Sequence, residues 1–176
     1  MLENYQLRLQ KIHELLGILP QYRANTTLPI QSEALMLEYI GKDQFNRPQY
    51  LIPAAAQAWH AMREDAISAG VSLWVVSAFR SVEQQKNILK RKLNQGQLME
   101  DILKINAAPG FSEHHSGRTL DLNTPECEPL NENFDQTSAY QWLNSHAGRF
   151  HFNLSYPKGN AAGIIYEPWH WTYRDP

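Results

Sequence analysis

With 176 residues, 43% of them apolar and 19% charged, and a net charge of −2, the chain has the size of one domain around a single core and lacks the basic excess that nucleic acid or an acidic membrane demands. A lone cysteine, Cys127, excludes an internal disulfide, and no apolar run approaches the ~18 residues of a membrane-spanning helix. These exclusions leave an ordinary globular protein and put the weight on its motifs.

The first segment, MLENYQLRLQKIHELLGILP, carries charges at Glu3, Arg8, Lys11 and Glu14 and has no apolar core followed by a cleavage site, so it does not read as a signal peptide. Tyr5, Leu9, Ile12, Leu16 and Leu19 recur at helical spacing and predict an amphipathic helix stopped by Pro20, with His13 at its surface or boundary. If the chain is complete, this predicts a cytoplasmic protein; a removed leader would make it periplasmic or secreted. Residues 21–52 predict one or two short strands, with turns at Gly41-Lys42-Asp43 and Asn46-Arg47-Pro48.

Pro53 to Gly70 predicts a helix, with proline in its first turn, alanine-rich propensity, and a terminating glycine; His60 within it reads as structural. The β-branched run Val71–Ser77 predicts a strand in the centre of a sheet. Ser81 then caps a polar helix to about Asn94, ended by Gly96, and a loop leads through Ala107-Ala108-Pro109-Gly110.

The stretch GFSEHHSGRTLDL poses a problem, because Asp121 lies between two leucines where an unpaired charge is costly to bury. In a strand, Thr119, Asp121 and Asn123 share one face and Leu120 and Leu122 the other. After a Pro/Glu/Asn-rich loop, SAYQWLNSHAGRF predicts a helix turning Trp142 and Leu143 inward, with His146 and His151 non-catalytic. The last segment predicts two strands around a glycine-containing turn; in EPWHWTY, His170 and Thr172 share a face opposite Trp169, Trp171 and Tyr173. Helices and strands alternate without a βαβ rhythm, which predicts one α+β domain over residues 1–176 with a mostly antiparallel central sheet flanked by helices.

Two histidines and an aspartate can give three ligands to a tetrahedral zinc and leave the fourth position to water, which would compensate Asp121. Glu167, three residues before His170, is then a candidate general base, and Pro168 argues against a helical arrangement of the pair. Glu113 reads as a solvated neighbour of the loop, and neither it nor His115 is assigned a role. The Trp169, Trp171 and Tyr173 stripe reads mostly as core.

Four motifs in order sharpen this reading: Ser77-Ala78-Phe79-Arg80-Ser81 with Gln85; Ser112-Glu113-His114 with Gly117, Thr119 and Asp121; Trp142-Leu143; and Tyr156-Pro157 with Gly159, followed by Glu167-Pro168-Trp169-His170. From about Pro53 to Tyr173 the chain resembles the VanY-like D-alanyl-D-alanine carboxypeptidases, zinc peptidases related to lysostaphin-type enzymes and the hedgehog domain. The resemblance implies one Zn2+ per chain, bound by His114, Asp121 and His170, with Glu167 as base. It also implies that Arg80 holds the reacting carbonyl oxygen or a substrate carboxylate, with Gln85, Ser112, Tyr156 and Trp169 in the substrate pocket. Thr119 stands where the family usually has alanine, His151 where it has glycine, and the Tyr156–Glu167 hairpin is short.

The implied activity is removal of a C-terminal D-alanine from peptidoglycan-derived peptides or muropeptides, with L,D cleavage of tetrapeptides slightly favoured over D,D cleavage of pentapeptides. An endolysin-type peptidoglycan endopeptidase and a non-catalytic, zinc-stabilised binding module are the alternatives. The reading carries no nucleic-acid or membrane partner and assigns no oligomeric state.

Overall fold

A computed structural model describes residues 2–176. Helix α1 (Leu2–Leu16) is followed by a short α2 (Pro20–Asn25) and a two-stranded antiparallel ribbon of β1 (Glu38–Lys42) and β2 (Pro48–Leu51). Helix α3 (Pro53–Ser68) leads to β3 (Trp74–Ser77), α4 (Val82–Asn94) and α5 (Met99–Ile105). A 3-10 turn at Glu113–Ser116 then feeds β4 (Thr119–Asn123), and α6 (Ser138–His146), β5 (Phe152–Leu154) and β6 (His170–Tyr173) complete the chain. The main sheet is antiparallel with strand order β3-β4-β6-β5, as the α+β reading requires.

Each face of the central strands has its own chemistry. Leu120 and Leu122 of β4 and Trp171 of β6 join α3, α6 and the β1–β2 ribbon in one buried cluster, which also holds Trp59, Trp142, Leu143 and Tyr173. A second cluster unites α1, α4 and α5 with Ala108, Phe111, Tyr156 and Ile164. Thr119 lies opposite Thr172 and Asp121 opposite His170 across the β4–β6 pair, so these four polar side chains form a compact grid on the other face of the strands.

Several local expectations are altered by packing. Val71–Ser77 does supply a strand, but β3 pairs with β4 alone and forms an edge of the main sheet rather than its centre. Helix α1 ends at Leu16, before Pro20, because Gly17 takes the left-handed conformation at φ 70°; Leu19 is therefore exposed and Ile18 is buried in its place. His13 is buried, stacked on Phe111 with its Nε2–H donating to the Pro109 carbonyl at 2.8 Å, and not at the surface or boundary position the sequence suggested. His60, read as structural, is exposed on α3. Helix α5 occupies part of what reads as a loop, and β5 and β6 pair across an irregular segment instead of a tight hairpin. The caps at Ser81 and the proline start of α3 are as expected, with Ser81 and Gln84 forming a reciprocal capping box.

Candidate functional site

The site assembles from three parts of the chain that local structure keeps rigid. The segment after β3 carries Arg80, the 3-10 turn carries His114, and the β4–β6 pair carries Asp121 and His170. The turn is tied to the Arg80 segment from both sides. Arg80 N–H donates to the His114 carbonyl at 3.2 Å, while His114 Nδ1–H donates to the Ala78 carbonyl and His115 Nδ1–H to the Arg80 carbonyl, each at 2.6 Å. Gly117 ends the turn at φ 66°, and a Cβ there would meet Leu37 at 3.0 Å and Ala34 and Ile52 at 3.1 Å, so the tight reversal into β4 requires glycine.

Ligand-type atoms of His114, Asp121 and His170 all lie within 4.8 Å of one another, and all three residues are buried. Asp121 is therefore not an isolated charge: His114 Nε2 is 3.2 Å from its Oδ2 and His170 Nδ1 is 3.1 Å from its Oδ1. Burial works against the Asp121 carboxylate, but the two imidazoles outweigh it and hold the carboxyl far below its usual range. Burial likewise opposes charge on His170, yet its bonds to Asp121 and Glu113 and the nearby carboxylates raise its pKa to about 10. Asp121 thus has two imidazole neighbours to offset its charge, and the same place suits a bound cation.

The donor set fits such a cation. The Nδ1–H of His114 is committed to a carbonyl and turns Nε2 inward, while Nε2 of His170 is engaged by Glu113 at 3.0 Å and turns Nδ1 inward. Two imidazole nitrogens and a carboxylate match the N/O ligation of a catalytic zinc, with one side left open.

Beside this trio, Glu167 Oε2 is 3.4 Å from His170 Nδ1, and its backbone N–H is fixed by the Tyr156 carbonyl at 3.1 Å. Burial, the largest influence, raises the Glu167 carboxyl to about 7, with His170 and Arg80 acting in the opposite direction. Arg80 is half-buried, and desolvation depresses its pKa against the pull of Asp121 and Glu167. Its Nε, together with Gln85 Oε1, is enclosed and finds no partner among the described residues.

Every predicted site residue reaches one cavity of about 200 Å³: Gln85, Ser112, Tyr156 and Trp169 line it with Arg80, Glu167 and the three candidate ligands. Gln85 follows from helical geometry, since it shares the buried face of α4 with Val82 and Leu89 and is anchored by Nε2 to the Ala107 carbonyl at 2.8 Å. Tyr156 packs against His170 in a tilted arrangement, with 4.7 Å between ring centroids.

Sequence reasoning missed three participants. Glu113 is buried and bonded to His170 Nε2 and Thr172, not solvated. His115 is buried as well: it accepts from Gly110 N–H while supporting the Arg80 carbonyl, and burial lowers its pKa to about 4. Lys92, two helical turns beyond Gln85, brings a second cation to the cavity, its Nζ donating to Asn106 Oδ1 at 2.5 Å. The signals were present in part, because Glu113 and His115 flank a predicted ligand and Lys92 continues the Gln85 face.

A candidate cation site beside a buried carboxylate whose pKa is raised by burial is the arrangement of one class of proteins, the hydrolases that activate water at a metal. The comparisons narrow that class. The chain belongs to the VanY family, whose model, described as D-alanyl-D-alanine carboxypeptidase, matches residues 48–176. It is 32% identical over 129 residues to YodJ of Bacillus subtilis (strain 168), a match covering 71% of this chain and 46% of that protein. It thus spans under half of that relative's length. Among solved structures, the LdcB LD-carboxypeptidase is similar with TM-score 0.73 and 30% identity, covering 82% of this chain and 71% of that one. VanYB in complex with D-alanine-D-alanine is similar with TM-score 0.64 and 25% identity, covering 86% and 82% respectively.

Proposed function

We propose that the protein is a zinc carboxypeptidase, with one Zn2+ per chain held by His114, Asp121 and His170, that removes a C-terminal D-alanine from peptidoglycan stem peptides. The observation that carries this reading is the placement of Glu167, with its raised carboxyl, beside the candidate ligand His170 in the cavity that Arg80 also lines. Zinc in this site would supply a Lewis acid that polarises a carbonyl and lowers the pKa of a bound water to roughly 7.

The chain's own groups account for the remaining chemistry. Glu167 takes a proton from the attacking water as its oxygen bonds to the scissile carbonyl carbon. Arg80, whose backbone is tied to the 3-10 turn and whose side chain lines the cavity, donates to the carbonyl oxygen as negative charge develops there. Glu167 then passes that proton to the amine as the C–N bond breaks, releasing D-alanine and a shortened peptide. A second cation at Lys92 suits a substrate end that carries a carboxylate.

Between the two linkages we favour L,D cleavage of tetrapeptides, a preference supported by the similarity to the LdcB LD-carboxypeptidase. Glu167→Gln tests the mechanism: the variant is expected to bind zinc as the parent does and to lose about 10²–10⁴-fold in turnover. Substantial residual turnover would remove Glu167 from its role. Mass analysis of matched tetra- and pentapeptides after incubation tests the linkage. Alanine lost mainly from the tetrapeptide supports the L,D reading, alanine lost mainly from the pentapeptide reverses it, and internal cleavage identifies an endopeptidase.

A further inference from the structure

Glu113 precedes a candidate ligand in sequence yet serves a different one in space. Its Oε2 accepts from His170 Nε2 at 3.0 Å and from the Thr172 hydroxyl at 2.7 Å, while its Oε1 accepts from Arg174 Nη2 at 2.8 Å. The Thr172 hydroxyl has one proton and spends it on Glu113, so at the 3.0 Å contact between Thr172 Oγ1 and Thr119 Oγ1 it is Thr119 that donates. Thr119 and Thr172 are direct cross-strand partners, one step along the strands from the Asp121 and His170 pair. A hydrogen-bonded line therefore runs from Thr119 through Thr172 and Glu113 to the far side of the His170 ring.

We propose that Glu113, supported by Thr172 and Thr119, is the positioning device for His170: it fixes the imidazole's orientation and keeps the proton on Nε2, so that Nδ1 is presented to a cation. The inference rests on the metal site proposed above. The two imidazoles are supported unequally, because His114 is held by a neutral carbonyl whereas His170 is held by a carboxylate. A carboxylate in that place both orients the ring and increases its donor strength. It accepts and never donates, so it stabilises one ring orientation and opposes the flipped one. The hydroxyl of Thr119 lengthens the line by one member and anchors it in β4.

The test uses metal-free protein titrated with Zn2+ against a chromophoric chelator, together with the visible spectrum of the Co2+-loaded form and thermal unfolding of the metal-free form. No substrate is involved. Glu113→Gln is expected to weaken zinc binding by about 10–100-fold and to alter the Co2+ bands, since the amide keeps the shape of the side chain but loses its charge. Thr172→Val is expected to weaken binding a few-fold, and Thr119→Val by less. Tight zinc binding by the wild type and equally tight binding by Glu113→Gln overturns the inference while leaving the metal site intact, even if the variant unfolds at a lower temperature. Should Glu113→Gln not fold, an unchanged zinc affinity in Thr172→Val overturns it instead. A wild-type protein that takes up no zinc overturns both the site and the inference.

Discussion

Arg80 shows how much can be asked of one side chain whose starting point is fixed. Its backbone is clamped by the two histidines of the 3-10 turn, which fixes where the side chain sets out along the cavity wall. Arg80→Lys keeps a positive charge but replaces the planar fork with a point charge on a flexible stem. The expected outcome is unchanged zinc content with kcat/KM reduced by about 10²–10³-fold, the range for losing one preorganised donor to a developing oxyanion. Metal analysis alongside steady-state kinetics checks it, and a lysine variant with near-parental kcat/KM would show that charge alone suffices. At this scale the sequence singled out by residue type a set, His114, Asp121, Glu167 and His170, that the fold brings into one cavity. It was a poor guide for Glu113, because a glutamate in a polar loop looks the same whether it faces water or a histidine 57 positions away.

Helix α1 is the element whose role its own sequence described least completely. Leu9, Ile12 and Leu16 are buried as the helical period requires, but their partners, Phe111 and Ala108 among them, lie in the loop that leads to His114. The contact is close: Gly110 sits at φ 91°, and a Cβ there would come within 2.5 Å of Leu9 Cδ1. Gly110→Ala is therefore expected to destabilise through both backbone strain and the clash, and Leu9→Ala alone by about 2–5 kcal/mol. The double variant should be less destabilised than the sum of the two, since the smaller side chain relieves the clash; strict additivity in denaturant unfolding would show that the two do not meet.

His13 on the same helix adds a pH dependence. Burial, the largest influence, lowers its pKa, so the fold favours the neutral ring while the unfolded chain takes up a proton near the ordinary value of about 6.5. The unfolded state then binds more protons, and stability must fall as pH drops below about 6.5. His13→Gln retains an N–H donor for the Pro109 carbonyl and cannot titrate in this range. Its unfolding free energy is expected to decline less steeply than the parent's below pH 6.5, and parallel pH profiles would remove His13 as a contributor.

For the whole molecule, the site lies where two buried clusters meet. The sheet leucines and tryptophans hold β4 and β6 from one side, while Tyr156, Ile164 and the Ala107 segment reach the cavity from the cluster that contains α1. Removing residues 2–19 would strip Leu9, Ile12, Leu16 and Ile18 from that cluster. At about 1.5–3 kcal/mol per large buried apolar side chain, the loss is comparable to the entire stability of a typical domain, roughly 5–15 kcal/mol. The truncated chain is expected to lose cooperative thermal unfolding and to bind a hydrophobic dye; a sharp transition near the parent's would show that the second cluster stands without α1.

What the sequence determined by itself was whatever is encoded within a few residues: the proline and serine starts of α3 and α4, the alternation that turns Asp121 and Leu122 to opposite faces, and the ordered motifs that carry the family resemblance. Such features depend on backbone geometry and residue chemistry over one or two turns, so they can be read locally. Only the tertiary structure decided that β3 lies at an edge, that Ile18 and not Leu19 is buried, and that Glu113 belongs to His170. Strand order, the docking of one helix and the partner of a buried carboxylate are set by which surfaces meet across long stretches of chain, where many pairings satisfy the same local pattern and packing of the whole selects one.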